Sequence, residues 1–139
     1  NFDAGMTHKL NLSSWKNPSG AYWPALDEFK TGCTYEHAGY FLTWLHSFFG
    51  DAYKVHAYSK CLFPNKGVGS KIMTPDFSVG CIEYKDVIAR VTLSVVAPLD
   101  RSLLIVGDKG NLLVPDIRDD HSSVYIRSNP LSKLESALE

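Results

Sequence analysis

The stretch Gly32–Gly50, G-C-T-Y-E-H-A-G-Y-F-L-T-W-L-H-S-F-F-G, carries the strongest periodic signal in the chain. Tyr35, Ala38, Leu42, Leu45 and Phe49 recur at spacings of 3, 4, 3 and 4. That spacing aligns one apolar stripe along a helix, predicted over Thr34–Phe49. Thr34 suits an N-cap, since its hydroxyl can accept from the open N–H groups of a first helical turn. His37 then takes the third helical position, and Gly50 stops the helix. Phe41 and Phe48 widen the stripe, so burial is expected over much of the helix circumference.

On the N-terminal side, Thr7–Ser13 alternates Leu10 and Leu12 with polar residues, as a half-buried strand does. Ser14–Gly32 contains Pro18, Gly20, Pro24 and Gly32, so no regular element is expected to run through it. It is rich in Trp, Tyr, Lys, Asp and Glu, the content of a loop that lines a site.

On the C-terminal side the pattern changes to strands. Tyr53–Leu62 alternates Tyr53, Val55, Ala57 and Ser59. Asn65–Ser70 reads as a loop. Phe77–Tyr84 and Val87–Ala97 flank Lys85-Asp86, a hairpin turn without the usual glycine. In the second of these strands Val87, Ala89, Val91, Leu93, Val95 and Ala97 share one face, and Arg90, Thr92 and Ser94 the other. Arg101–Val106 and Asn111–Val114 flank Gly107-Asp108-Lys109-Gly110, a strong turn signal. Ser123–Arg127 is a last short strand, and Leu131–Leu138 can form a helix. The class is therefore α+β: an open, mostly antiparallel sheet with a helix packed on one face.

A chain of 139 residues is one domain by length, and about two thirds of its extended surface is buried on folding. Apolar residues at 45% supply a core, and charged residues at 21% argue against disorder. Lys and Arg total 14 against 15 Asp and Glu, a balance with no electrostatic call for nucleic acid or an anionic membrane. No apolar run approaches the ~20 residues of a membrane span. Cys33, Cys61 and Cys81 are odd in number and widely spaced. They indicate reduced thiols in a cytoplasmic setting and no metal site. Residue 1 is Asn with no leader pattern after it, and Leu138-Glu139 resembles a cloning scar. The reading is one excised domain over residues 1–137.

Glu36 and Tyr40 are four apart on the helix, one above the other and about a hundred degrees off the middle of the stripe. Together they are either an acid/base pair or a solvated helix-start glutamate beside an amphipathic core tyrosine. Cys33, just before the helix, is either a nucleophile favoured by the dipole or a small buried residue. Gly67-Val68-Gly69 is G-x-G without a third glycine or a β-α-β setting, so it is no dinucleotide fingerprint. Asp116, Asp119 and Asp120 read as a solvated loop, with a cation site as the alternative although EF-hand spacing is absent.

The stretch Gly32–Gly50 resembles the helix motif of the Gfo/Idh/MocA oxidoreductases, the NAD(P)-dependent sugar, inositol and nucleotide-sugar dehydrogenases. Gly32 lies four before Glu36, and Gly50 lies ten after Tyr40, as in that family. Downstream, Phe77–Val114 is similar to the family's hairpin and its glycine-bearing strand pair, here Leu104–Val114. The family Asp matches Glu36 and the family His matches Tyr40, an exchange with precedent there.

The resemblance implies that this chain is the C-terminal, substrate-binding half of such an enzyme. The Rossmann half and its lysine would lie elsewhere. NAD or NADP would be held mainly by that missing half, with no cofactor site and no metal here. Tyr40 would move the proton of a sugar or polyol hydroxyl, and Glu36 would orient the sugar. His37 is adjacent and could share the role, while Trp15, Lys16, Tyr22 and Trp23 would contact substrate. The sheet's outer face would form a homodimer or tetramer. Two alternatives remain: a stand-alone α+β ligand-binding or dimerisation module, and a small lyase or isomerase with a Glu/Tyr pocket.

Overall fold

The computed structural model describes residues 19–22, 24–97 and 100–128. The α+β class holds. The described residues form two units, the first within residues 19–97 and the second starting at Asp100. In the first, α1 (Ala25–Thr31) and α2 (Cys33–Phe49) precede β1 (Lys54–Lys60), β2 (Phe77–Glu83) and β3 (Ile88–Ser94). These strands form an antiparallel sheet in the order β1-β2-β3. In the second unit, β4 (Leu103–Gly107), β5 (Gly110–Val114) and β6 (Tyr125–Ser128) form another antiparallel sheet in that order. The expected strand at Thr7–Ser13 and the helix at Leu131–Leu138 lie outside the described residues.

The strand register explains which side chains are covered. Pairing sets Ser78, Gly80 and Ile82 of β2 beside Leu93, Val91 and Ala89 of β3 on one face. Ile82, Val91 and Leu93 there are buried, and α2 packs on β2 and β3. The opposite face carries His56 and Tyr58 of β1, Val79 and Cys81 of β2, and Ile88, Arg90 and Thr92 of β3. His56, Tyr58, Cys81, Ile88 and Arg90 are exposed. β1 is exposed along its whole length, as an edge strand can be. Lys85-Asp86 does turn the chain, with Tyr84 N–H donating to Val87 O at 2.8 Å.

Four expectations need correction. A helix, α1, does form in the Pro- and Gly-rich stretch, because its breakers fall outside it. Pro24 sits at its N-cap and Gly32 just past its end, so both are compatible with a helix between them. Thr34 is not the N-cap of α2. Gly32 is, and the Thr34 hydroxyl reaches across to Ser78 Oγ at 2.9 Å. The apolar stripe of α2 is rotated from the expected one: Cys33 and Phe41 are its buried residues, while Tyr35 is 88% exposed and Leu42 is also exposed. A single sheet layer covers only a narrow arc of a helix, so much of the circumference stays open. Ser94 keeps the register of Arg90 and Thr92 but is not open to solvent. It is buried, and its hydroxyl donates to Asp76 O at 2.9 Å.

The connection from β1 to β2 is held by a buried ion pair. Pro64, Gly67, Gly69 and Pro75 keep this segment irregular, so its backbone polar groups need other partners. Asp76 is 0% exposed and Lys66 is 1% exposed, with Nζ to Oδ2 at 3.0 Å. Asp76 Oδ1 accepts from Leu62 N–H at 2.7 Å and Oδ2 from Phe63 N–H at 2.9 Å. Lys66 Nζ also donates to Phe63 O at 2.8 Å and Ile72 O at 3.1 Å. With Asp76, that engages all three ammonium protons. The backbone of Asp76 continues the network, its N–H donating to Lys60 O and its carbonyl accepting from Val95 N–H. One residue thus ties together the end of β1, the loop and the end of β3.

Burial pushes the Asp76 carboxyl up. The Leu62 and Phe63 N–H groups and the bond and charge of Lys66 outweigh this, and hold it below the ordinary 3.8. A depressed carboxyl stabilises the fold above its unfolded pKa, and the benefit is lost as pH falls through the folded value. The urea midpoint should therefore fall on acidification from about pH 5 to about pH 3, and Asp76→Asn should flatten that acid branch while lowering stability at neutral pH. An acid branch unchanged by the substitution would contradict this. Lys66→Met leaves a buried carboxylate without its counter-ion and should cost ~3–5 kcal/mol in urea unfolding, against less than about 1 kcal/mol for the exposed Lys71→Met.

Candidate functional site

The residues proposed for chemistry are carried by α2, and the start of α2 is fixed by the loop just described. Gly32 has φ 86°, a left-handed backbone that favours glycine. A Cβ there would stand 2.6 Å from Thr74 Cγ2 and 3.1 Å from Pro75 O. Cys33 N–H, one of the open donors of the helix start, donates to Pro75 O at 3.2 Å. Thr74 Oγ1 donates to Lys30 O at 3.1 Å, closing the α1–α2 corner on the same segment. At the far end Gly50 has φ 74° and its N–H donates to His46 O.

This anchoring orients the flanks of α2. Glu36 lies in the first turn, half-buried, where the helix dipole favours a carboxylate. Tyr40 follows one turn later and is 59% exposed, so it is not a core residue. Trp44 and Phe48 continue at the same four-residue spacing, both exposed, their rings edge to face at 6.3 Å. Sequence reading missed this ridge, although the spacing from Glu36 to Tyr40, Trp44 and Phe48 was visible. His37 is half-buried on α2. Tyr22 is exposed, and Trp15, Lys16 and Trp23 lie outside the described residues.

Cys33 is fully buried, its Sγ 3.6 Å from Ser78 Oγ. Burial pushes its thiol up, against the lowering effect of hydrogen bonds with Ser78 and Thr34. A buried thiol of raised pKa is a packing residue, not a nucleophile. Gly67-Val68-Gly69 lies in the irregular loop before β2 and lines a shallow cleft with Pro24–Asp27. The Asp116 loop is closed by its own carboxylates: Asp116 Oδ1 accepts from Arg118 N–H and Asp119 Oδ1 from His121 N–H. Asp116 also pairs with Arg101 at 3.2 Å. Among the described residues no cluster of His, Cys, Asp and Glu could hold a metal ion. No helix among them is long and apolar enough to cross a membrane.

The chemical capacity of this region is that of an open helix flank: a carboxylate, a phenol and two aromatic faces in line. It offers proton transfer at Tyr40, hydrogen bonding at Glu36 and a stacking surface at Trp44. No family model and no curated protein matches the chain.

Gly32→Ala must both adopt a left-handed backbone and displace Thr74. It should cost ~1–3 kcal/mol in urea unfolding, whereas Gly39→Ala, in the open middle of α2, should leave stability equal or higher. Equal stability of the two variants would show that the α2 corner is not tightly held.

Proposed function

We propose that this chain is the substrate-binding and assembly half of an NAD(P)-dependent oxidoreductase acting on a sugar, inositol or nucleotide-sugar hydroxyl or carbonyl. The observation that carries the reading is the pair of glycines that brackets α2. Gly32 and Gly50, whose spacing from Glu36 and Tyr40 supports the resemblance, both sit at positive φ, and no side chain fits at Gly32. The motif is therefore a physical unit: a helix of set length whose first two turns carry a half-buried carboxylate and an exposed tyrosine.

In this reading a second, dinucleotide-binding domain holds the nicotinamide, which accepts or donates hydride at the sugar carbon. Tyr40 takes the hydroxyl proton as hydride leaves, or returns it to the carbonyl in reverse. Glu36 orients the sugar, and the Trp44 face offers apolar contact to the ring. The uncovered face of β1–β3, with Tyr58, Cys81, Ile88 and Arg90, is where a second copy would pack.

Two measurements test the reading. The 139-residue chain titrated with NADH and NADPH should give no saturable fluorescence change, and binding by this chain alone would sink the division of labour. In the longer protein that includes residues upstream of Asn1, Tyr40→Phe should cut turnover by on the order of 10²–10⁴-fold with unchanged thermal unfolding. Unchanged turnover would reject Tyr40 as the acid/base.

A further inference from the structure

We propose that Cys61, Lys66 and Asp76 form a peroxide-responsive cross-linking site, in which one oxygen atom joins Cys61 Sγ to Lys66 Nζ. Three observations place the reacting atoms. Cys61 Sγ lies 3.7 Å from Lys66 Nζ and 3.7 Å from Asp76 Oδ2. The ammonium is locked by its contacts to Asp76, Phe63 O and Ile72 O, so it cannot swing away from the sulfur. Cys61 is half-buried, open enough for a small oxidant, whereas Lys66 is shielded from competing water.

The chemistry balances with two equivalents of a peroxide. In the first step the Cys61 thiol attacks the peroxide, the O–O bond breaks, an S–O bond forms, and the sulfenic acid and one alcohol or water result. The reacting form is the minor one in which Asp76 Oδ2, 3.0 Å from Nζ, holds the ammonium proton and Lys66 is a neutral amine. In the second step a second peroxide accepts two electrons as the amine and the sulfenic acid condense. One N–H and the S–O–H hydrogen are lost, an N–O bond forms, and water and a second alcohol or water leave. The product is Cys61–S–O–NH–Lys66, and dithiol reduction returns both side chains.

The bridge has a structural consequence. The linked nitrogen keeps one N–H in place of three, so at least one of the bonds to Phe63 O and Ile72 O is lost, and the counter-charge of Asp76 goes with them. Cross-linking therefore loosens the loop that seats Thr74 and Pro75 against the start of α2.

The test is a tryptic map of the folded chain after hydrogen peroxide, digested without reductant. The expected species spans Cys61–Lys71, uncleaved after Lys66, heavier than the unmodified peptide by one oxygen less two hydrogens. Dithiothreitol should abolish it, and Cys61→Ser should not form it. The wild-type map stands by itself if a variant folds poorly, because the exposed Cys81 reports that the peroxide dose was sufficient. Cys61 carrying one, two or three oxygens with cleavage after Lys66 intact would overturn the proposal. So would an unmodified Cys61 at a dose that oxidises Cys81.

Discussion

The ion pair between Lys66 and Asp76 is the constraint on which the first unit depends. Two opposite charges without water are costly unless both groups are hydrogen-bonded, and here both carboxylate oxygens and all three ammonium protons are. The pair does not add stability over an apolar core so much as it selects one path for a sixteen-residue connection (61–76) that has no ladder of its own. Asp76 receives the loop's first N–H groups, joins β1 to β3 through its backbone, and stands directly after Thr74-Pro75. Those two residues seat the start of α2. The chain of cause therefore runs from a buried charge to a helix start, and from there to the flank that presents Glu36 and Tyr40.

That flank is open because α2 rests on one sheet layer. Cys33 and Phe41 are the buried residues of α2, which packs on β2 and β3, while Tyr40, Trp44 and Phe48 stay exposed. An exposed aromatic ridge calls for a covering partner or ligand. The proposed oxidoreductase reading supplies both, a sugar at Tyr40 and a cofactor domain beyond it. The outer face of β1–β3 poses the same question for assembly.

Much of the fold was legible in the sequence, for reasons that differ by element. The C-terminal end of α2 was readable from Gly50, whereas its start is capped by Gly32 and not by Thr34. The strands were readable because the inward residues Ala89, Val91 and Leu93 alternate cleanly. Three features were not. α1 was hidden because its breakers are tolerated just outside a helix. The burial arc of α2 was misjudged because Tyr35 and Leu42 have apolar bodies like Phe41, and only the sheet decides which side is covered. Lys66 and Asp76 are ten residues apart in a glycine-rich loop, and no local pattern distinguishes a buried lysine from a solvated one. The candidate pair Glu36 and Tyr40 was found by spacing alone, whereas the aromatic continuation at Trp44 and Phe48 needed the exposure of α2 to be known.

The central claim, that the buried pair fixes the loop and through it the start of α2, is most directly tested by native-state hydrogen exchange. The amides of Leu62 and Phe63, bound to Asp76, and of Cys33, bound to Pro75, should exchange with the opening free energy of the β2–β3 ladder. Exchange of these three amides at the rate of an unprotected loop, while β2 and β3 stay protected, would contradict the account.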